Sequence, residues 1–277
     1  MAENSSLSDG TRQPVDPDRP LLDRSRARLR LPADLLQPAL DIARYQSMSI
    51  ENGAGVAGVG PRQVKRLADI SDDNGLDPIA AELLHVVNQA SLMVALDVSY
   101  GPDSSAATIW ATPRRAVASN PFDPAQIELE MVPVNQLPQI LGQMIVLQSP
   151  TWVAEGAISV GVRTLSTALS RSSRDEALQV LAGDGLDTEQ ALLVLDLQLP
   201  DVRRWRISSS WSTEGEPDEA ELMGLDAGPS GQWLDSTSGA DGDGLRTFTP
   251  LGHGEGLSAL RAVLPRNWMG TPLQRAA

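Results

Sequence analysis

Groups able to do acid–base or nucleophilic chemistry are sparse in this chain, and their spacing argues against a catalytic constellation. There are two histidines, His85 and His253, and no cysteine. That leaves no thiol nucleophile, no zinc ribbon and little for histidine-driven catalysis. Gly53-Ala-Gly55-Val-Ala-Gly58 matches the dinucleotide fingerprint by letter. The fingerprint works only where a strand feeds it and a helix N-terminus receives the pyrophosphate. Here a helix end (YQSMSIEN) precedes it and Pro61 follows, so it reads as an interhelical hinge. No Gly-Lys-Ser/Thr phosphate loop occurs. Asp97 and Asp226, each after a leucine, invite comparison with the carboxylate pair of a two-lobed aspartic protease, which shares a proton across a dyad. They fall at inequivalent places, however: Asp97 aligns near Ser208, and Asp226 near Thr112. Ser208, Ser209 and Ser210 lie in a strand without elbow glycines. The chemistry-bearing residues therefore predict a protein that is not an enzyme and needs neither cofactor nor metal.

Composition narrows the partners. The 277 residues suffice for a sizeable core, and 41% are hydrophobic. Lys and Arg number 22 against 36 Asp and Glu, a net charge of −14. A surface so acidic repels phosphate backbones and anionic lipid heads, so neither nucleic acid nor membrane is an expected partner. No apolar run approaches the ~20 residues of a membrane span. The opening MAENSSLSDG lacks the basic patch and apolar run of a secretory signal, so a cytoplasmic location is expected.

The elements that must position any site follow from hydrophobic period and turn chemistry. Residues 1–27, rich in Ser, Asp, Arg and Pro, predict a disordered tail. Arg28-Leu29-Arg30-Leu31 alternates as a strand, and after Pro32 a helical stripe begins. Asp77-Pro78 is an N-cap followed by a first-turn proline. Strands are expected at 92–100, 106–111 and 126–132, with a polar loop at 113–125 and a helix from Asn135. The second half replays this order. Gly185-Leu186-Asp187 repeats Gly75-Leu76-Asp77, and Pro250 stands where Pro133 stood, at offsets of 110 and 117. The repeat predicts an α+β fold in one domain over 28–270, with copies at about 28–148 and 151–266. Each copy would carry a three-stranded meander and about four helices. Pairing the meanders about a pseudo-two-fold gives a central antiparallel sheet with two helical subdomains.

Among the aromatics, Trp110, Trp205 and Trp211 are expected in the core, while Trp152 and Trp268 are candidates for surface contact. Phe122, held between Pro121 and Pro124, is either presented to a partner or folded back on its own sheet. His85 lies on an apolar helix face. Glu128 and Glu130 share one strand face, expected to be solvated.

The string MGLDAGPSGQWLDSTSGADGDGLRTFTPLGHGEGLSALRAVLP resembles the C-terminal signature of the EspG family, cytosolic chaperones of actinobacterial type VII (ESX) secretion. Met223 to Asp226, Gly231 to Leu234, Asp243-Gly244, Thr247 to Pro250 and Leu257 to Leu264 fall on its places. Gln232 departs from the family's usual arginine, and Pro229-Ser230 precede Gly231. The resemblance covers about residues 28–265. It implies a central sheet flanked by helical bundles and a partner of PE–PPE type, whose hydrophobic helical tip the chaperone keeps soluble for export. It also implies contacts from the 113–125 loop, through Arg114, Arg115, Val117, Phe122 and Asp123, and from the C-terminal bundle, through Leu195 and Leu199. A weak homodimer is a further expectation. The alternative is a non-enzymatic adaptor of the same secretion context with a different client.

Overall fold

The computed structural model describes residues 18–46, 59–72, 75–123, 125–147, 156–213, 216–239 and 244–266. The chain runs β1 (Leu21–Asp23), β2 (Arg28–Pro32), α1 (Ala33–Gln46), α2 (Pro61–Arg66), β3 (Ser71–Asp72), β4 (Gly75–Leu76), α3 (Pro78–Asn88), β5 (Leu92–Tyr100), β6 (Asp103–Ala111), β7 (Ala116–Asp123), β8 (Gln126–Val132) and α4 (Leu137–Met144). The second half continues with β9 (Ile158–Gly161), α5 (Val162–Leu169), α6 (Arg174–Gly183), α7 (Thr188–Asp196), β10 (Arg203–Thr213), β11 (Glu216–Asp226), β12 (Gln232–Ser238), β13 (Leu245–Pro250) and α8 (His253–Ala262).

Eleven strands form one sheet in the order β1-β2-β8-β7-β6-β5-β10-β11-β12-β13-β9, every pair antiparallel. β3 and β4 make a separate ribbon. The halves meet at β5 and β10, where Leu96 lies opposite Ile207 and Asp97 opposite Arg206. Outward from that seam, each half places its strands in the same chain order, with its first strand (β2 or β9) beside its last (β8 or β13). The seam is tied at both ends. Gly101 N–H donates to the Pro200 carbonyl (3.1 Å), and Ser212 N–H to the Ser91 carbonyl (3.3 Å).

Alternation assigns the faces. One face carries Leu92, Val94, Leu96, Ile109, Trp205 and Ile207, and α4 and α8 pack across it through Leu137, Leu141, Leu260 and Val263. On the other face, α1 and α3 cover the outer strands of the first half, burying Leu29, Leu31, Val117 and Leu129. There α5, α6 and α7 cover the outer strands of the second half, burying Val160, Leu225, Trp233 and Phe248. Helix starts follow the sequence: Asp77 accepts from Ile79 N–H (2.9 Å), and Asp187 with Gln190 closes a reciprocal capping box.

Several expectations are corrected. The tail does not extend to residue 27, because β1 adds an edge strand to β2 and Arg24 Nε reaches the Asp77 carboxylate at 2.9 Å. Residues 1–17 lie outside the described residues. Each half has a four-stranded meander rather than three, because 116–123, expected as loop, is β7. Asn120 and Pro121 hid its apolar start, Ala116-Val117-Ala118. Pro121 is tolerated because β6 pairs with β7 only at Ala116–Ala118, so its missing N–H breaks no ladder on that side. Glu128 is not solvated: it is 5% exposed, and its carboxylate takes Arg30 Nη2 at 2.8 Å and Arg28 Nη1 at 3.3 Å. The last helix begins at His253, not Leu257. The Gly53–Gly58 hinge, Trp152 and Trp268 lie outside the described residues.

Candidate partner-binding surface

Two helical groups stand on one sheet face, and between them the centre of that face is open. Its floor is β6, β5, β10 and β11, four strands spanning about 15 Å at their usual spacing. One helix, about 10–12 Å across with side chains, fits that width. Floor residues are mostly small or polar: Ala95, Ser99, Ser104, Ala106, Ser208 and Ser210. Met93, 46% exposed, and the half-buried Met223 are the larger apolar side chains there, and Glu219 and Glu221 of β11 add carboxylates. The floor is low because alternation sends the bulky side chains of β5 and β10 through to the α4–α8 side.

At the end of the trough beside α7, the floor deepens into a cavity of about 510 Å³ lined by Asp97, Arg204, Arg206, Met223, Asp235 and Arg246, among others. Arg246 binds Asp235 through two bonds (Nε–Oδ1 2.9 Å, Nη2–Oδ2 2.6 Å), reaches Gln198 Oε1 at 3.3 Å and lies over the Phe248 ring at 5.2 Å. Its hydrogen bond to Asp235 holds its pKa above the usual arginine value, against burial. Arg204 points its Nη groups at the carbonyls of Leu197 (3.1 Å), Leu199 (3.3 Å) and Val202 (3.1 Å), so it caps the end of α7. Burial first, and Arg246 second, pull its pKa below the usual value. Arg206 pairs with Glu221 across β11.

The expected contact residues do not form one patch. Arg114 and Arg115 sit in the exposed β6–β7 turn, where Arg115 pairs with Glu82 of α3. Leu199 is 43% exposed and Leu195 half-buried, both at the α7 end. The turn adjoins Ala111, opposite Leu92, whereas Leu199 lies near Arg204, opposite Ser99. Seven residues of β5 separate those levels, about 24 Å. Phe122 and Asp123 close β7 before the turn to β8, at the α7 end of the strands. Val117 is a correction: it is 0% exposed, packed beneath α1 and α3, because alternation turns it toward Trp110. It cannot touch a partner without unfolding the first half.

Arg204, Arg206, Asp235 and Arg246 were missed. The signal was present in Arg203-Arg204-Trp205-Arg206, a basic run inside a strand of an acidic protein. Asp97 and Asp226 lie on opposite sheet faces, which excludes a shared proton. Among the described residues no cluster of three or more His, Asp or Glu is placed to hold a metal, and no helix is long and apolar enough to cross a membrane.

What this geometry defines is a sheet platform with helical walls around an open trough. A solved structure is similar in fold: the Mycobacterium tuberculosis type VII secretion system chaperone EspG5, in complex with a PE25–PPE41 dimer, matches over 86% of this chain and 97% of that one, with a TM-score of 0.58 and 13% identity. At that identity the likeness is one of fold. No family model matches the chain, and no curated protein matches it.

Proposed function

We propose that this protein is a chaperone or adaptor of type VII secretion that receives the helical tip of a PE–PPE-like client in its trough, in the cytoplasm, and holds it soluble for export. The observation that carries the reading is the trough itself, a helix-wide stretch of sheet left uncovered between two helical walls. The fold shared with a chaperone solved together with its PE25–PPE41 dimer supports it. The equal strand order of the two halves supports an origin by tandem duplication about a pseudo-two-fold at the β5–β10 seam.

Leu195, Leu199, Phe122 and Asp123 would engage the client at the α7 end, and Arg114 and Arg115 at the far end of the strands. The two sets require a client longer than about 24 Å, or one of them is idle. Co-expression with PE–PPE-like pairs followed by gel filtration tests the reading. A stable three-chain complex is expected with the cognate pair; no complex with any pair would overturn it.

A further inference from the structure

We infer that the free edge of β6, from Asp103 to Thr108, is a strand-addition site that takes an extended, carboxylate-free segment of the client flanking its helical tip. The edge is read from the strands alone, while the source of the segment rests on the chaperone reading.

β6 pairs with β7 only at Ile109, Trp110 and Ala111. Toward the β5–β6 turn the sheet splits, because β7 stays with β8 as far as Asp123. Thr108 N–H points into the split and donates to Ser119 Oγ at 2.8 Å in place of a backbone partner. Alternation turns the N–H and C=O of Ser104 and Ala106 the same way, and neither meets a partner among the described residues. Asp103, Ser104, Ser105 and Ala106 are all exposed, so this stretch is open on both faces as well as along its edge. β11 shows a guarded edge in the same sheet. It too lacks an outer neighbour near its turn, pairing with β12 only from Met223 to Asp226. Counted from the two turns, Pro217 answers to Ser104, Glu219 to Ala106 and Glu221 to Thr108. Proline offers no N–H, and charge discourages pairing; both blunt an edge. β6 has neither at its outward positions. Such an edge selects a strand as occupant, since main-chain groups supply affinity and alternate side chains selectivity. Asp103 is the only charged residue from 103 to 108, and the chain carries −14. That field repels a segment bearing carboxylates and accepts a neutral or basic one. A second copy would bring another −14 to the contact, which disfavours it. Ser104 and Ala106 also floor the trough, so a helix lying there ends within reach of the edge.

The probe is the capped peptide acetyl-Lys-Thr-Val-Thr-Lys-amide, titrated into the full chain and followed by backbone amide NMR. Saturable shifts centred on Ser104 and Ala106 are expected, with slowed hydrogen exchange at both. The same peptide N-methylated at its three central residues should bind at least about tenfold more weakly. With Glu in place of both Lys it should lose about threefold or more at low salt. Ser104→Pro copies the proline of β11 onto β6 and removes one edge donor where proline is tolerated. Tm should hold, while probe affinity falls about three- to tenfold. If Ser104→Pro fails to fold, the N-methylated peptide still decides, because it leaves the protein unchanged. Shifts centred elsewhere, or equal binding of the N-methylated peptide, overturn the strand site. Dimerisation of the chain that Ser104→Pro abolishes assigns the edge to a second copy and overturns the client as its occupant. With a client pair that binds, exchange at Ser104 and Ala106 should slow in the complex. Unchanged exchange there overturns the occupant and leaves the chaperone reading standing. If no pair binds, the chaperone reading fails while the probe arm still decides the edge.

Discussion

Trp205 of β10 lies flat across Gly224 of β11, its partner in register, so closely that a β-carbon at position 224 would stand 2.1 Å from Trp205 Cζ2. The ring fills the space of the missing side chain and anchors the second half to the α4–α8 layer, where Trp205 is 3% exposed. Gly224→Val should drive the indole from its place and destabilise the fold by about 1–3 kcal/mol. Chemical denaturation with tryptophan fluorescence measures it. A variant as stable as the parent would mean that the ring has an alternative seat.

The same pair shows what could be read from the sequence and what could not. Trp205 is plainly a core residue by its alternation in WRISSSW, but nothing local says that Gly224, nineteen positions on, makes room for it. Register across a hairpin decides that, and it emerges only when the strands pair. The cap at Asp77, the strand Arg28–Pro32 and most helices were legible because their signals are local. β7 was not, because Asn120-Pro121 reads as a turn unless one knows that β6 has already peeled away. The trough was invisible for a similar reason: Arg204, Asp235 and Arg246 lie on three different strands, and no spacing within one segment brings them together.

Glu128 joins two arginines of β2 from the neighbouring strand, and Arg28 also reaches Glu130 at 2.8 Å. With Glu128 only 5% exposed, Glu128→Gln would leave Arg30 and part of Arg28 without their counter-charge. A loss of about 2 kcal/mol is expected, below that of a fully buried pair because both arginines keep some water. Thermal unfolding compared with Glu130→Gln, on the wetter rung, should show the larger drop for Glu128. Equal drops would refute the ranking.

Asp77 carries both a helix cap and an ion pair. Burial raises its pKa, but the hydrogen bond from Ile79 N–H and the bond and charge of Arg24 outweigh that, so it lies below the usual aspartate value. A carboxyl lowered on folding stabilises the native state above its unfolded pKa, about 3.9, and that contribution fades as pH falls through the folded value. Asp77→Ala should cost about 1 kcal/mol at neutral pH. Asp77→Asn, which keeps an acceptor for Ile79, should cost less. The gap between wild type and Asp77→Asn should close as pH falls from about 5 toward 3; a gap independent of pH would show that charge plays no part.

Capture of the proposed client would separate the trough from the core by a comparison of surfaces. Met93 and Leu199 are about half exposed, whereas Val117 is sealed. Met93→Asp on the trough floor should leave Tm within about 1 °C, since surface changes of this kind shift stability by about 0.5 kcal/mol or less. It should weaken client binding at least tenfold, because a charge would replace an apolar anchor at the centre of the contact. Leu199→Asp should weaken binding in the same way if the client reaches α7, and Arg114→Glu only if it also spans to the far turn. Val117→Asp, by contrast, should abolish folding, since it puts an unpaired carboxylate beneath α1 and α3. Titration of each variant against the client pair, with unfolding run in parallel, resolves the four positions. If Met93→Asp binds as the parent does, the client does not lie on this face of the sheet.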